Sequence, residues 1–178
     1  IELQATACAD GWSINGRVAA LSLGDQAHAA LVVVQAEGEP RLLLLDLSAP
    51  QIQKLSAVLT HGEGVADLHI QGLTVEAGAL LPAEAVGWLE LRSVAALAAL
   101  QLGVSEEQVR RTVAYISERR QFERVIGSFQ AVQMSMADTH IAIEALRTVL
   151  WQLAYRIDAG LPAPSEALAT AWIACEAG

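Results

Sequence analysis

The hydrophobic pattern of the chain changes its period once, near Ala79-Leu80-Leu81-Pro82. Before that point, short runs of Val, Leu and Ile alternate with turn pairs: Asp10-Gly11, Asn15-Gly16, Gly24-Asp25, Glu37-Gly38, Gly62-Glu63-Gly64 and Gly72. Runs of this length bounded by such residues predict strands. Trp12–Asn15 and Arg17–Leu21 are expected to pair as a hairpin across Asn15-Gly16, a dipeptide suited to a two-residue hairpin turn. Ala29–Val34 and Arg41–Asp46 are nearly continuous apolar runs, which predicts strands covered on both faces. Leu55–Leu59 and Ala66–Leu73 supply two more strands, the second with partial alternation at Leu68 and Ile70. Regularly spaced short strands predict a small barrel or sandwich.

After Pro82 the apolar residues recur every three or four positions: Val86, Leu89, Leu91, Val94, Leu97, Leu100. Pro82 followed by Glu84 suits a helix start with acid in its first turn. Gly103 and Ser105-x-x-Gln108 leave open a break and a fresh capping box. A second helix is marked by Phe129, Val132, Met136, Ile143, Leu146, Leu150 and Leu153, and Gly160 with Pro162 ends it. A third is expected after Ser165, capped by that residue, and runs to the end of the sequence. The fold class is therefore α+β: a small antiparallel β-barrel or sandwich module over residues 1–80, followed by an antiparallel helical bundle over 81–178, left incomplete.

Composition narrows this picture. The 178 residues are 53% hydrophobic but only 4% aromatic, so aliphatic packing must dominate both modules. No stretch holds the roughly 20 uninterrupted apolar residues of a membrane span. A formal net charge of −9 argues against nucleic acid as a partner. Cys8 and Cys175 are far apart, and His28, His61, His69 and His140 form no ligand motif, so no metal site is expected. Two isolated cysteines fit reduced thiols and a cytoplasmic setting. Ile1-Glu2-Leu3-Gln4 does not read as a signal peptide. The lack of an initiating methionine predicts a piece of a longer chain.

The densest chemistry lies in Arg119–Gln130, between the first two helices. An arginine, amide side chains and a phenylalanine within so short a stretch suit a dinucleotide: the guanidinium fork meets pyrophosphate, the amides hydrogen-bond, and an aromatic covers a ring. The plainer reading makes Gly127-Ser128 a helix stop followed by a new N-cap, with both phenylalanines as packing residues.

The order of residue types is more specific than their spacing. Arg119-x-x-Phe122, then Ile126, then Phe129-Gln130, with Ala131-Val132-Gln133, Met136-Ala137-Asp138 and Asp158-Ala159-Gly160 downstream, resembles the acyl-CoA dehydrogenase signature. Upstream, Gly11-Trp12-Ser13-Ile14-Asn15-Gly16 resembles that family's middle-domain hairpin. The resemblance covers nearly the whole chain and implies one continuous first helix to about Glu118. It also implies FAD as cofactor, an acyl-CoA substrate, electron-transfer flavoprotein as acceptor, and a homo- or hetero-oligomer of such subunits. By motif match, Arg119, Gln121, Phe122, Phe129 and Gln130 inherit contacts to the adenosine diphosphate half of a partner's FAD. Ser22 inherits a hydroxyl contact to the flavin ring, whereas Ala20 stands where the family carries a ring-stacking tryptophan.

The family's catalytic glutamate finds no counterpart. Most members carry it beyond the position of Gly178. In a minority it falls where this chain has Ser93, with Glu90 one turn earlier and Val94 in place of a basic residue. Glu123 replaces the first glycine after the signature phenylalanine. Three readings remain: part of an ordinary acyl-CoA dehydrogenase with its base elsewhere; a degenerate subunit of a heteromeric, steroid-side-chain enzyme; or a non-enzymatic interaction module. The departures at Ala20, Ser93 and Val94 favour the second over the first, and the ordered match argues against the third.

Overall fold

A computed structural model describes residues 2–178. The chain divides into two compact units, one reaching to Trp88 and the other running Leu89–Gly178. The first unit is a six-stranded sheet of β1 (Leu3–Cys8), β2 (Gly11–Ser22), β3 (Ala29–Ala36), β4 (Glu39–Asp46), β5 (Ile52–Val58) and β6 (Gly64–Val75). Its spatial order is β4-β3-β1-β2-β6-β5. Every neighbouring pair is antiparallel except β1 and β3, which run parallel, so the sheet is mixed. All six strands feed one core, including Leu3, Ile14, Val34, Leu45, Ile52 and Leu68. A flat single layer could not bury Ile14, Val34 and Leu68 completely, so the sheet curls around its own apolar face.

Two expectations for this unit need correction. Asn15-Gly16 is not a turn: β2 runs straight through it, and the hairpin loop is Ala9–Asp10, with Cys8 opposite Gly11. Gly16 instead sits at a bulge opposite β6, where the ladder slips between Ile14 and Gly16. Its φ is +132°, and a Cβ there would lie 2.0 Å from the Glu2 carbonyl oxygen, so glycine is required by close backbone approach. Asn15 uses its side chain, not its turn propensity, by accepting the Gly72 N–H at 2.7 Å. The second correction concerns β3 and β4, whose second face is covered only in part: Leu42 is buried on it, but its neighbours further along the strands are not. Val32, Val34, Leu43 and Leu45 are buried, whereas the cross-strand pair Leu31 and Leu44 is 42% and 62% exposed. A continuous apolar run fixes burial of one face; whether the other is covered depends on what lies beyond the sheet. By contrast, Glu37-Gly38 forms the expected two-residue turn, both residues at positive φ.

The helical elements are α1 (Glu84–Glu118), α2 (Gln130–Asp158) and α3 (Pro164–Glu176). α1 is continuous through Gly103, where open space surrounds the missing side chain. Ser105 caps nothing; it is buried, accepts from Gln101 Nε2 and donates to the Ala177 carbonyl, each at 3.0 Å. α3 begins with Pro164 in its first turn and Ala163 as N-cap, two residues before the Ser165 cap expected from sequence. Within the second unit, Ala98 and Leu102 of α1 cluster with Ile143 and Leu146 of α2 and Ala174 of α3. Leu91, Val94 and Ala95 cluster with Leu153, Ile157, Ala163 and Ala167. Rising numbers on α1 meet falling numbers on α2, and α3 reverses again, which is an antiparallel bundle.

By length and composition alone, α1 is the one helix among the described residues apolar enough to cross a membrane. That helix still carries Glu90, Arg92 and Glu106, whereas the sequence expectation asked for an uninterrupted apolar run.

Candidate functional site

α1 closes with the Arg119 N–H donating to the Tyr115 carbonyl at 2.9 Å, and the chain then leaves the helix as a miniature hairpin. β7 (Arg120–Gln121) pairs with β8 (Arg124–Val125), Arg120 opposite Val125 and Gln121 opposite Arg124. The two-residue loop is Phe122-Glu123, with φ of 51° and 64°. Those signs belong to the mirror-image turn that suits strand twist, ordinarily made by Asn or Gly. The Arg120 guanidinium donates to the Glu123 carbonyl at 2.8 Å, and the Ile126 N–H donates to the Arg119 carbonyl at 2.8 Å, tying tip and base.

A single 3-10 turn, Ile126–Ser128, then leads into α2. Here the sequence expectation fails. Phe129, not Ser128, is the N-cap, and the Ser128 hydroxyl donates to the Val125 carbonyl at 2.7 Å. Gly127 ends no helix; its glycine lets this turn pass α1, since a Cβ would meet the Ile116 carbonyl oxygen at 3.0 Å. The Gln133 amide donates to the Gly127 carbonyl at 3.1 Å and holds the turn to the first coil of α2.

The hairpin brings five of the six candidate residues together. Phe122 is 86% exposed at the tip and meets the Phe129 ring edge-on, centroids 6.2 Å apart. The Arg124 guanidinium carbon lies 3.9 Å from the centre of the Phe129 ring. Each such contact stabilises by about 0.5–1 kcal/mol, enough to orient a short hairpin. Phe129 is thus a packing residue, while Phe122 offers an uncovered ring. Arg119, Gln121 and Gln130 are exposed, and their side chains meet no hydrogen-bond or ion-pair partner among the described residues. Beside the hairpin lies an open cavity of about 540 Å³ lined by Val113, Ile116, Val125, Gly127, Gln133 and Met136. Solvent-exposed guanidinium and amide donors beside an open aromatic are groups able to bind an anionic, planar ligand.

Ser22, the sixth candidate, belongs to the other unit, at the end of β2. Its hydroxyl is already given to the Glu63 carboxylate, whose second oxygen lies 2.9 Å from His61 Nε2. One step earlier, a second bulge puts Ala20 at φ 49°, and its N–H donates to Asp67 Oδ1 at 2.8 Å. Arg17 holds the other Asp67 oxygen at 2.6 Å. The Ser22 hydroxyl, and then His61, keep the Glu63 carboxyl below its ordinary range. The Ala20 N–H, and then Arg17, do the same for Asp67. Sequence reading missed both carboxylates; the signal was Asp67 interrupting the apolar run of β6. Ala20 offers no ring and Ser22 no free donor, so this segment does not fit a flavin ring.

Glu90 and Ser93 are both exposed on α1. Among the described residues the only buried polar side chains are Ser105 and Thr170, so no carboxylate occupies the apolar surroundings that raise a base toward neutrality.

With this geometry in place, the chain compares clearly with known proteins. Residues 92–178 match the family model described as acyl-CoA dehydrogenase, C-terminal domain. The chain belongs to the acyl-CoA dehydrogenase family. It is 33% identical over 157 residues to acyl-CoA dehydrogenase FadE27 of Mycobacterium tuberculosis, covering 87% of this chain and 42% of that protein. Among solved structures it is similar to the Tcur3481-Tcur3483 steroid ACAD G363A variant, with 35% identity and a TM-score of 0.91, covering 99% of this chain and 48% of that one. It is also similar to the ChsE4-ChsE5 complex from Mycobacterium tuberculosis, with 30% identity and a TM-score of 0.92, covering 99% and 49%. The chain therefore spans about half the length, or less, of these relatives.

Proposed function

We propose that this chain is the middle-β and C-terminal helical part of a subunit in a heteromeric acyl-CoA dehydrogenase, and that it completes a partner's FAD site. The observation that carries the reading is the Arg119–Gln130 hairpin. It spends backbone strain at Phe122 and Glu123 to present an uncovered ring beside exposed donors that have no partner among the described residues. Arg119 would hold the pyrophosphate, Gln121 and Gln130 would hydrogen-bond the adenosine portion, and Phe122 would cover an aromatic surface. FAD, when bound, supplies hydride acceptance in the α,β-desaturation of an acyl-CoA thioester. In this reading the part played by residues 2–178 is to bind and orient. Two of its relatives of known structure are a steroid ACAD and the ChsE4-ChsE5 complex, which supports a steroid-side-chain acyl-CoA substrate and a hetero-oligomer. Electron-transfer flavoprotein is the expected acceptor. The exposed free thiols of Cys8 and Cys175 fit a reducing, cytoplasmic setting.

The test is the absorbance of the full-length protein near about 450 nm, where oxidised flavins absorb, measured alone and co-purified with a homologous partner. The expected result is a colourless protein that turns yellow with its partner and loses colour on Arg119→Ala. Stoichiometric flavin in the lone protein would instead favour an ordinary acyl-CoA dehydrogenase with its base outside residues 1–178. If neither preparation is yellow, the flavoprotein reading fails and an interaction module takes its place.

A further inference from the structure

A flavin ring presents an edge of acceptors, its carbonyl oxygens and N5, and is held by N–H or O–H donors beside a flat wall. In this chain every donor of the β2 end is already directed elsewhere. The Ala20 N–H goes to Asp67 and the Ser22 hydroxyl to Glu63. The Leu23 N–H goes to the Gly64 carbonyl at 2.9 Å and the Gly24 N–H to the Leu21 carbonyl at 3.1 Å. The two acceptors that take side-chain and bulge donors are carboxylates, so they add negative charge beside an acceptor-rich edge.

Neither carboxylate is loosely placed. Asp67 is gripped by Arg17 as well as by Ala20. Glu63 is gripped by His61 as well as by Ser22, and its backbone is pinned by the Leu59 N–H at 2.8 Å within the β5–β6 loop. Displacing either one breaks two interactions at once.

We propose that Glu63, through Ser22, closes this chain's own flavin-ring subsite and so confines flavin binding in the assembly to the partner's strand; this rests on the flavoprotein reading above. Glu63 is a positioning residue: it acts by occupying the hydroxyl, and Asp67 completes the closure at the bulge.

The experiment uses the purified full-length protein in its oligomeric state with two separate probes, riboflavin for the ring and ADP for the other half. Wild type is expected to bind riboflavin at the partner's site alone, so the signal that matters is quenching beyond that stoichiometry. Glu63→Ala is expected to gain riboflavin affinity by about three- to tenfold, the worth of one released hydrogen bond. Adding Ser22→Ala to Glu63→Ala should abolish that gain, which a merely structural effect of Glu63 would not do. Should Glu63→Ala fail to fold, Glu63→Leu keeps most of the side-chain volume and removes the acceptor that holds the Ser22 hydroxyl. Riboflavin affinity that is equal in wild type and the Glu63 variant, or a gain that survives Ser22→Ala, overturns the closure. ADP binding weakened by Arg119→Ala in the same samples leaves the flavoprotein reading standing in that event. If ADP does not bind at all, it is that reading which falls.

Discussion

Glu123→Gly should make the hairpin between α1 and α2 more stable, although it removes a side chain and touches no core. Glu123 sits at φ 64° in the second position of the two-residue turn. A left-handed conformation costs an L-residue about 1–2 kcal/mol, and glycine escapes that cost. Glycine also gains freedom in the unfolded chain, which offsets about 0.4–1 kcal/mol. The Glu123 carbonyl that accepts from Arg120 survives the substitution, and the exposed carboxylate has no partner among the described residues to lose. The net is a stabilisation of about 0.5–1 kcal/mol, or about a two- to fivefold rise in the closed-to-open ratio. Hydrogen exchange reads this locally at the Ile126 N–H, which closes the hairpin base onto the Arg119 carbonyl. Its protection should rise two- to fivefold by the same estimate, while amides in the centre of α2 stay unchanged. Unchanged or reduced protection at Ile126 would show that the turn is not strained, and with it would go the argument that the hairpin is held in shape for a ligand.

Two further outcomes follow from the geometry. Gly16→Ala should destabilise the β unit by at least about 2 kcal/mol, because it forces alanine to φ +132° against the Glu2 carbonyl; a urea midpoint equal to wild type refutes the close approach. Glu107 is held down from 4.5 to about 2 by the Arg110 and Arg111 guanidinium groups, which lie 2.6 and 2.7 Å from it. Since the folded value is the lower one, its contribution to α1 is complete above about pH 4.5 and fades as pH falls toward about 2. An NMR titration of the Glu107 carboxyl with a midpoint near 4.5 would contradict the paired geometry.

The acyl-CoA dehydrogenase relationship was legible because residue order along the chain is a local record. The Arg119–Gln130 motif, the change of period near Pro82 and the strand runs survive without knowledge of any contact. The α2 helix likewise declares itself through thirty positions of regular spacing. Wherever a residue has two local uses, the tertiary structure made the choice. Asn15-Gly16 reads equally as turn or bulge, and the approach of the Glu2 carbonyl selected the bulge. Ser105 reads as an N-cap, and the end of α3 turned it into a buried link to Ala177. The runs in β3 and β4 announced burial without stating how much of each face was covered, and only the tertiary structure left Leu31 and Leu44 exposed while burying Leu42. The same limit explains the site. Arg119, Gln121 and Phe122 are neighbours in sequence and could be found there. Glu63 and Asp67 reach Ser22 and Ala20 across more than forty residues, so only strand pairing between β2 and β6 could bring those carboxylates to the donors they occupy.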